Sequence, residues 1–335
     1  NYNMASLGSV LKMFISVPDA LKPPKPITVY SLTMERPEIK MTEARVKVMK
    51  VLGVGDPLSA DVLSKKAGVG ASVIKGLVKL EALKVTNLPP PPTFKEPAWG
   101  ASGPTLSAEQ ATVANKIREF VKKGQFSALV LEGVPGSGKT EVYLEAVCQA
   151  LAQGKQALVL LPEIALGAQW LARFKERFGC APAEWHSDLT QAKRRITWRA
   201  VATGEAKVIV GARSALFLPY KSLGVIVIDE EHDQSFKQED GVIYNARDMA
   251  VVRAKHGKIP IILASATPSL ESLQNASLRR YKHFDLPDRY GGAKLPDISI
   301  VDMCKDGPGT GKWLSPRLIE ALRKTFDAGE QALLF

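Results

Sequence analysis

The chain is poor in cysteine and histidine. Three cysteines, Cys148, Cys180 and Cys304, stand far apart among 335 residues, and none belongs to a C-x-x-C pair. That number and spacing exclude a disulfide framework and give no zinc-ligand pattern within this stretch. Of the four histidines, His186, His256 and His283 have no metal-ligand spacing and read as structural. No apolar run approaches the ~20 residues that a helix needs to cross a membrane. The opening Asn-Tyr-Asn-Met lacks the basic segment ahead of an apolar stretch that marks a secretory leader. The expectation is a reducing, cytoplasmic setting with no membrane contact. Extended disorder is excluded as well, because 45% hydrophobic and 24% charged residues is a globular balance.

What is present is length for two or three domains and an excess of positive charge. Lys and Arg total 45 against 34 Asp and Glu, a net charge of +11. Residues 1–104 hold 14 basic and 8 acidic side chains, so +6 of that excess lies in the first third. Such a surplus attracts polyanions, nucleic acid foremost, although plain solvated charge explains it equally well. Residues 1–40 contain Pro23, Pro24 and Pro26 and read as a tail plus connector. Residues 41–88 show helical periodicity, with Val46, Met49 and Leu52 on one face, then a short helix over 58–66 closed by Gly68. A third helix spans 71–83, and Val85-Thr-Asn follows as a strand. That order predicts a small winged-helix module over 31–90, with an ordinary helical domain as the plainer alternative. Its third helix carries Lys75 and Lys79 but no Arg, Asn or Gln, so backbone or protein contact suits it better than base readout. Pro89 to Pro92 is stiff and opens a proline-rich linker over 91–104.

From residue 105 the texture changes. Apolar runs at Ala128–Leu131, Ala157–Leu161, Val208–Val210, Val225–Ile228 and Ile259–Leu263 alternate with helical patterns. This predicts an α/β domain over 105–290, a RecA-like parallel sheet with helices on both faces. Residues 291–335 read as a connector and the start of a second lobe. The final basic helix, Gly-Glu turn and apolar Gln331–Phe335 predict a strand cut short, and the first residue is not Met, so the chain reads as a fragment.

Gly133, Val134, Pro135, Gly136, Ser137, Gly138, Lys139 and Thr140 match G-x-x-x-x-G-K-[ST] at every fixed position, between a strand and a helix. Glycines let backbone N–H groups turn inward around phosphate oxygens, and the following helix adds its positive end. Lys139 reaches the β- and γ-phosphates, and Thr140 offers a hydroxyl to Mg²⁺. About 90 residues on, Val225–Ile228 delivers Asp229 and Glu230 at a strand's carboxyl end, where parallel sheets gather ligands. Asp229 suits Mg²⁺, and Glu230 suits the general base that deprotonates the attacking water. ATP and Mg²⁺ are the expected cofactors. Trp170, Phe174 and Phe178 recur at i, i+4 and i+8 and read as a core face.

The Asp229-Glu230-Glu231-His232 run resembles the DEAH motif of superfamily 2 helicases, and Ser265-Ala266-Thr267 resembles their third motif. Five segments, GVPGSGKTEVY (133–143), LPEIAL (161–166), GARSALFLP (211–219), DEEHDQSFKQ (229–238) and YNARDMAVVRA (244–254), closely resemble the primosomal replication-restart helicases. The resemblance runs along the whole chain, strongest over 104–276 and weak over 41–100. It implies a bacterial, nucleoid-associated ATP-dependent DNA helicase moving 3′ to 5′. Such an enzyme engages forked DNA and single-strand/duplex junctions together with primosome and single-strand-binding proteins. It also implies that residues 1–30 are the tail of an N-terminal DNA-binding domain. A zinc-binding insertion, an arginine finger and a C-terminal domain would follow Phe335. Gln110 matches a glutamine that reads the adenine edge, or is a plain helix-start residue. Arg213 and Ser214 match a turn that meets backbone phosphate. Phe236 and Tyr244 would stack on bases, or pack under their loop, with Lys237 and Arg247 beside them. His232 with Ser265, Ala266 and Thr267 would relay the nucleotide state to DNA. The chain departs from the family at Pro135, where Thr is usual, and at Phe236 and Val242, where Tyr and Trp are frequent. The rival readings are another repair or fork-remodelling helicase of superfamily 2, and a fork-binding scaffold that uses ATP only as a switch.

Overall fold

The computed structural model describes residues 5–33, 39–53, 56–100, 103–162, 167–289 and 298–334. Residues 163–166 of the LPEIAL segment and the junction at 290–297 lie outside them. The chain divides into two units, Asn1–Tyr290 and Gly291–Phe335.

Helix α1 (Leu7–Phe14) begins at Ser6, whose hydroxyl accepts from the Ser9 amide. A small unit follows: strand β1 (Ile27–Leu32), helix α2 (Glu43–Leu52), strand β2 (Leu58–Ser59), helices α3 (Ala60–Ala67) and α4 (Ala71–Lys79), and strand β3 (Leu83–Leu88). The three strands make an antiparallel sheet in the order β2-β1-β3. Val48, Leu52, Leu63, Ile74, Leu77 and Leu83 fill its separate core. Gly68 ends α3 in the left-handed region at φ +63°, a conformation that suits glycine. Strand β1 falls where the sequence suggested connector. Ile27-Thr-Val-Tyr-Ser-Leu32 is β-branched and alternating, but it becomes a strand only because β3, far downstream, bonds it from Ile27↔Leu88 to Leu32↔Leu83.

The larger part of this unit comprises α5 (Ala108–Lys123), β4 (Ser127–Gly133), α6 (Lys139–Ala152), β5 (Gln156–Leu160), α7 (Ala168–Phe178), β6 (Ala183–Trp185), α8 (Gln191–Thr203), β7 (Val208–Gly211) and β8 (Leu223–Asp229). After these come the short hairpin β9 (Lys237–Gln238) and β10 (Tyr244–Asn245), α9 (Ala246–Gly257), β11 (Pro260–Ser265), α10 (Leu270–Ser277) and β12 (Lys282–Leu286). Seven strands form one sheet in the order β12-β4-β11-β8-β5-β7-β6, every pair parallel. Burial on both faces explains the near-continuous apolar strands. Val225 and Val227 face one core with α5, α6 and α7; Ile226 and Ile228 face the other with α8 and α9. Trp170, Phe174 and Phe178 are buried in the first of these as a stacked row, their neighbouring ring centroids 5.5 and 4.4 Å apart. The two edge strands, β6 and β12, carry Glu184, Lys282, His283 and Asp285, polar residues that hid them from an apolar pattern.

Residues 5–22 lie against the second core. The Trp198 indole donates to the Phe14 carbonyl at 3.2 Å, and Arg199 Nε donates to the Ala20 carbonyl at 2.9 Å. In the second unit, helix α11 (Pro316–Asp327) starts with Pro at its first turn and Ser315 as its cap. Residues 331–334, expected to open a strand, have no strand partner among the described residues. No described helix is long and apolar enough to cross a membrane.

Candidate nucleotide site and the loops beside it

Strands β4, β8 and β11 are neighbours, so the loops after them open on one edge of the sheet. The loop after β4 turns through Gly136 and Gly138 at φ +82° and +80°. Side chains other than glycine rarely adopt those angles, and a Cβ on Gly138 would also collide with Gln110 Nε2. Lys139 opens α6, is buried, and donates from Nζ to the Gly133 carbonyl at 2.7 Å. Burial lowers its pKa, while the charges of Glu230 and Asp229 oppose that shift. Gln110 is a helix-start residue, but a buried one with its amide engaged on both sides. Its Oε1 accepts from the Ser107 amide at 2.9 Å, and its Nε2 donates to the Ser137 carbonyl at 2.8 Å. It thus caps α5 and braces the phosphate-type loop, with its side chain still lining the cavity.

The tip of β8 carries Asp229 and Glu230 into a cavity of about 540 Å³, lined also by Gln110, Lys139, Thr140 and Arg173. Asp229 Oδ2 accepts from the Tyr143 hydroxyl at 2.9 Å, and Oδ1 accepts from the Glu230 amide at 3.1 Å. Burial lifts the Asp229 carboxyl to about 6, against the pull of its bond to Tyr143. Glu230 sits at φ +50°, an unfavourable backbone conformation for a side chain with a Cβ. The donor set fits a triphosphate with Mg²⁺. Among the described residues, Ser137 Oγ is buried in the loop with no hydrogen-bond partner, and nothing lies within 4 Å of where a Gly136 Cβ would stand. No group of three or more His, Cys, Asp or Glu among the described residues is placed to hold a metal. Thr140 and Asp229, which line the same cavity, supply the one or two protein oxygens that Mg²⁺ takes beside phosphate and water.

Glu231 carried no assignment from its sequence position, yet it is the most connected of the acidic run. Only 2% exposed, it accepts from the Ser269 amide at 2.6 Å, from the Ser269 and Ser272 hydroxyls at 3.1 Å each, and from Arg247 Nη1 at 3.3 Å. Its own amide donates to the Ala264 carbonyl at 3.1 Å. This ties the end of β8 to β11 and to the start of α10. Beside it, His232 Nδ1 lies 2.7 Å from Ser265 Oγ and 3.6 Å from Glu230 Oε2, and the Thr267 amide donates to Ser265 Oγ at 2.9 Å. Glu230, His232, Ser265 and Thr267 therefore form one chain of contacts, with Ala266 between the last two.

The residues expected to meet DNA are arranged differently. Phe236 is 1% exposed and Tyr244 is 6% exposed, both within the core under α9, with Tyr244 edge-on to Phe217 at 5.2 Å. Neither offers a free ring face for a base, because the 236–245 hairpin folds its apolar side inward along with Val242. Arg247 is likewise not a free flanking cation. It is buried, pairs with Glu231, donates to Asp248 at 2.9 Å and to Ser269 Oγ at 2.6 Å. Arg213 donates through Nη1 to the carbonyls of Ser235 and Lys237, at 3.1 and 2.8 Å, so it holds the hairpin's first strand. Ser214 and Lys237 remain exposed, the lysine paired with Glu239 at 2.8 Å.

Residues 108–276 match the DEAD/DEAH box helicase family. The chain is 47% identical over 232 residues to the replication restart protein PriA of Rickettsia conorii, covering 69% of this chain and 35% of that protein. It is 39% identical over 287 residues to the protein of the same name from Bacillus subtilis, covering 84% of this chain and 35% of that one. With the Chlamydia pneumoniae protein of that name it shares 35% identity over 355 residues, which span 100% of this chain and 47% of that protein. The chain thus spans between a third and a half of the length of these curated relatives.

Proposed function

Because the chain belongs to the DEAD/DEAH box helicase family, we propose that it binds ATP with Mg²⁺ at the edge formed by β4, β8 and β11, and contributes ATP hydrolysis to DNA unwinding in replication restart. One observation carries this reading: Lys139, Thr140, Asp229 and Glu230, from two loops far apart in sequence, line a single cavity. The amides of 133–140 and the Lys139 ammonium hold the phosphates. Thr140 and Asp229 present oxygens to the metal, which neutralises charge on the phosphates when bound. Glu230 orients the attacking water and takes its proton. His232, Ser265, Ala266 and Thr267 pass the state of this site towards DNA, a role supported by the contacts that join Glu230 to Thr267.

The relatives' names give only replication restart; the wider setting rests on the resemblance of the five sequence segments to replication-restart helicases. Forked DNA and single-strand/duplex junctions are the substrates, movement is 3′ to 5′, and primosome and single-strand-binding proteins are partners in a bacterial cytoplasm. Residues 31–90 act as a winged-helix module and 91–104 as its linker to the nucleotide-binding lobe, while 291–335 lead into a second lobe. Ser214 and Lys237 are the exposed candidates for phosphate contact. The deciding experiment is Lys139→Ala in the full natural protein, assayed for DNA-stimulated ATP turnover. The expected loss is about 100-fold or more, the scale of removing one preorganised charge from a reacting centre. Near-normal turnover in the variant would overturn the assignment. Absence of turnover in the unaltered protein, with fork binding intact, would favour a scaffold that uses ATP as a switch.

A further inference from the structure

Tyr143 lies one helical turn after Thr140 on α6, and it is wholly buried. Its hydroxyl donates to Asp229 Oδ2 at 2.9 Å and accepts from the Trp170 indole N–H at 2.9 Å. The Thr140 hydroxyl lies within interaction range of the same oxygen. An indole N–H can only donate, so the contact with Trp170 fixes which way the phenol proton points. That proton is left for Asp229, whose carboxylate can only accept when ionised. One buried oxygen thus stands between two side chains of the metal set, and Trp170, otherwise part of the stacked core row, directs it.

We propose that Tyr143 is a positioning residue for Mg²⁺: its hydroxyl, oriented by Trp170, holds Asp229 in register with Thr140 so that the remaining Asp229 oxygen faces the metal. The inference rests on the nucleotide reading above. Hydrogen-bond partners behind a ligand commonly change metal affinity by 10- to 100-fold when removed. Among the described residues, Asp229 has one other hydrogen bond, from the amide of its neighbour Glu230.

The test is Tyr143→Phe in the full natural protein, which deletes one oxygen and keeps the ring in the core. Binding of a fluorescent, non-hydrolysable ATP analogue is titrated with Mg²⁺. The expected result is a rise of about 10-fold in the half-saturating Mg²⁺ concentration, with analogue affinity at saturating Mg²⁺ close to that of the unaltered protein. Trp170→Phe should move the same value in the same direction by a smaller factor. Phe174→Leu, in the same aromatic row but away from the hydroxyl, should leave it unchanged. A general packing role would lower thermal stability in all three variants and leave the Mg²⁺ dependence alone. That outcome, or an unchanged Mg²⁺ midpoint in Tyr143→Phe and Trp170→Phe, overturns the proposal. Lys139→Ala in the same assay separates the two claims. If it abolishes analogue binding while Tyr143→Phe changes nothing, only the role of Tyr143 is lost. If it binds normally, the nucleotide reading itself fails.

Discussion

Two corners of the same lobe carry residues with a chemical signature in the sequence, and they behave in opposite ways. At the ends of β4 and β8, Lys139, Thr140, Asp229 and Glu230 converge on one cavity. Along 236–247, Phe236, Tyr244 and Arg247 turn inward and are consumed by packing and by Glu231. The first corner depends on where backbone atoms go. Glycines at φ near +80° and a strand's carboxyl end leave the chain little choice. The second depends on which way a hairpin's side chains face, and that is decided by the core beneath it. Residues of the same chemical type are therefore a safer guide where the main chain builds the site than where a loop must present a ring or a guanidinium.

The largest effect is expected at the inward corner. Phe236→Ala should cost about 3–5 kcal/mol of stability, the scale for emptying a buried aromatic position, read as a fall in the denaturation midpoint. Unchanged stability with weakened binding of single-stranded DNA would mean that the ring stacks on bases after all. A moderate effect is expected at the convergent corner. The fold raises Asp229 to about 6, so the native state binds this proton more tightly than the unfolded chain does. Stability from this group is complete below about pH 4 and is lost as pH rises through 6. Asp229→Asn should therefore stabilise the ligand-free protein at pH 7.5 in metal-free buffer by up to about 3 kcal/mol, the gain vanishing toward pH 4. Equal midpoints at the two pH values would show that the carboxylate carries no burial penalty. The smallest effect is predicted for Lys237→Ala. An exposed pair with Glu239 contributes little to folding, so the melting temperature should not move. Any change should appear in DNA affinity at low salt, and a shift in melting with unaltered affinity would argue against a contact role.

Much of the lobe was legible in advance, because the interior strands are apolar on both faces and their runs stand out. Among the strands that escaped notice, β6 is short, β12 is polar, and β1 sits beside a proline cluster, each paired with a segment distant in sequence. Gln110 was legible as a residue of interest but not as a brace, since its partner Ser137 comes from another loop. Glu231 and Tyr143 went unassigned for related reasons. A glutamate in an acidic run looks solvated until Ser269, Ser272 and Arg247 close around it. Tyr143 carried one faint signal, a polar tip three residues after Thr140 on a helix that is otherwise apolar at that face.

The order of amino acids alone determined the parallel α/β lobe, the phosphate-type loop and the paired carboxylates at a strand end. Each of these follows from short-range rules: strand hydrophobicity, glycine's freedom at positive φ, and the spacing of a strand-loop-helix unit. Only the assembled molecule decided that Trp170 orients Tyr143, that Tyr143 holds Asp229, and that Arg247 serves Glu231 rather than a ligand. Those are hydrogen bonds between residues distant along the chain, and a polar side chain's partner is settled by which neighbour folding brings within about 3 Å of it.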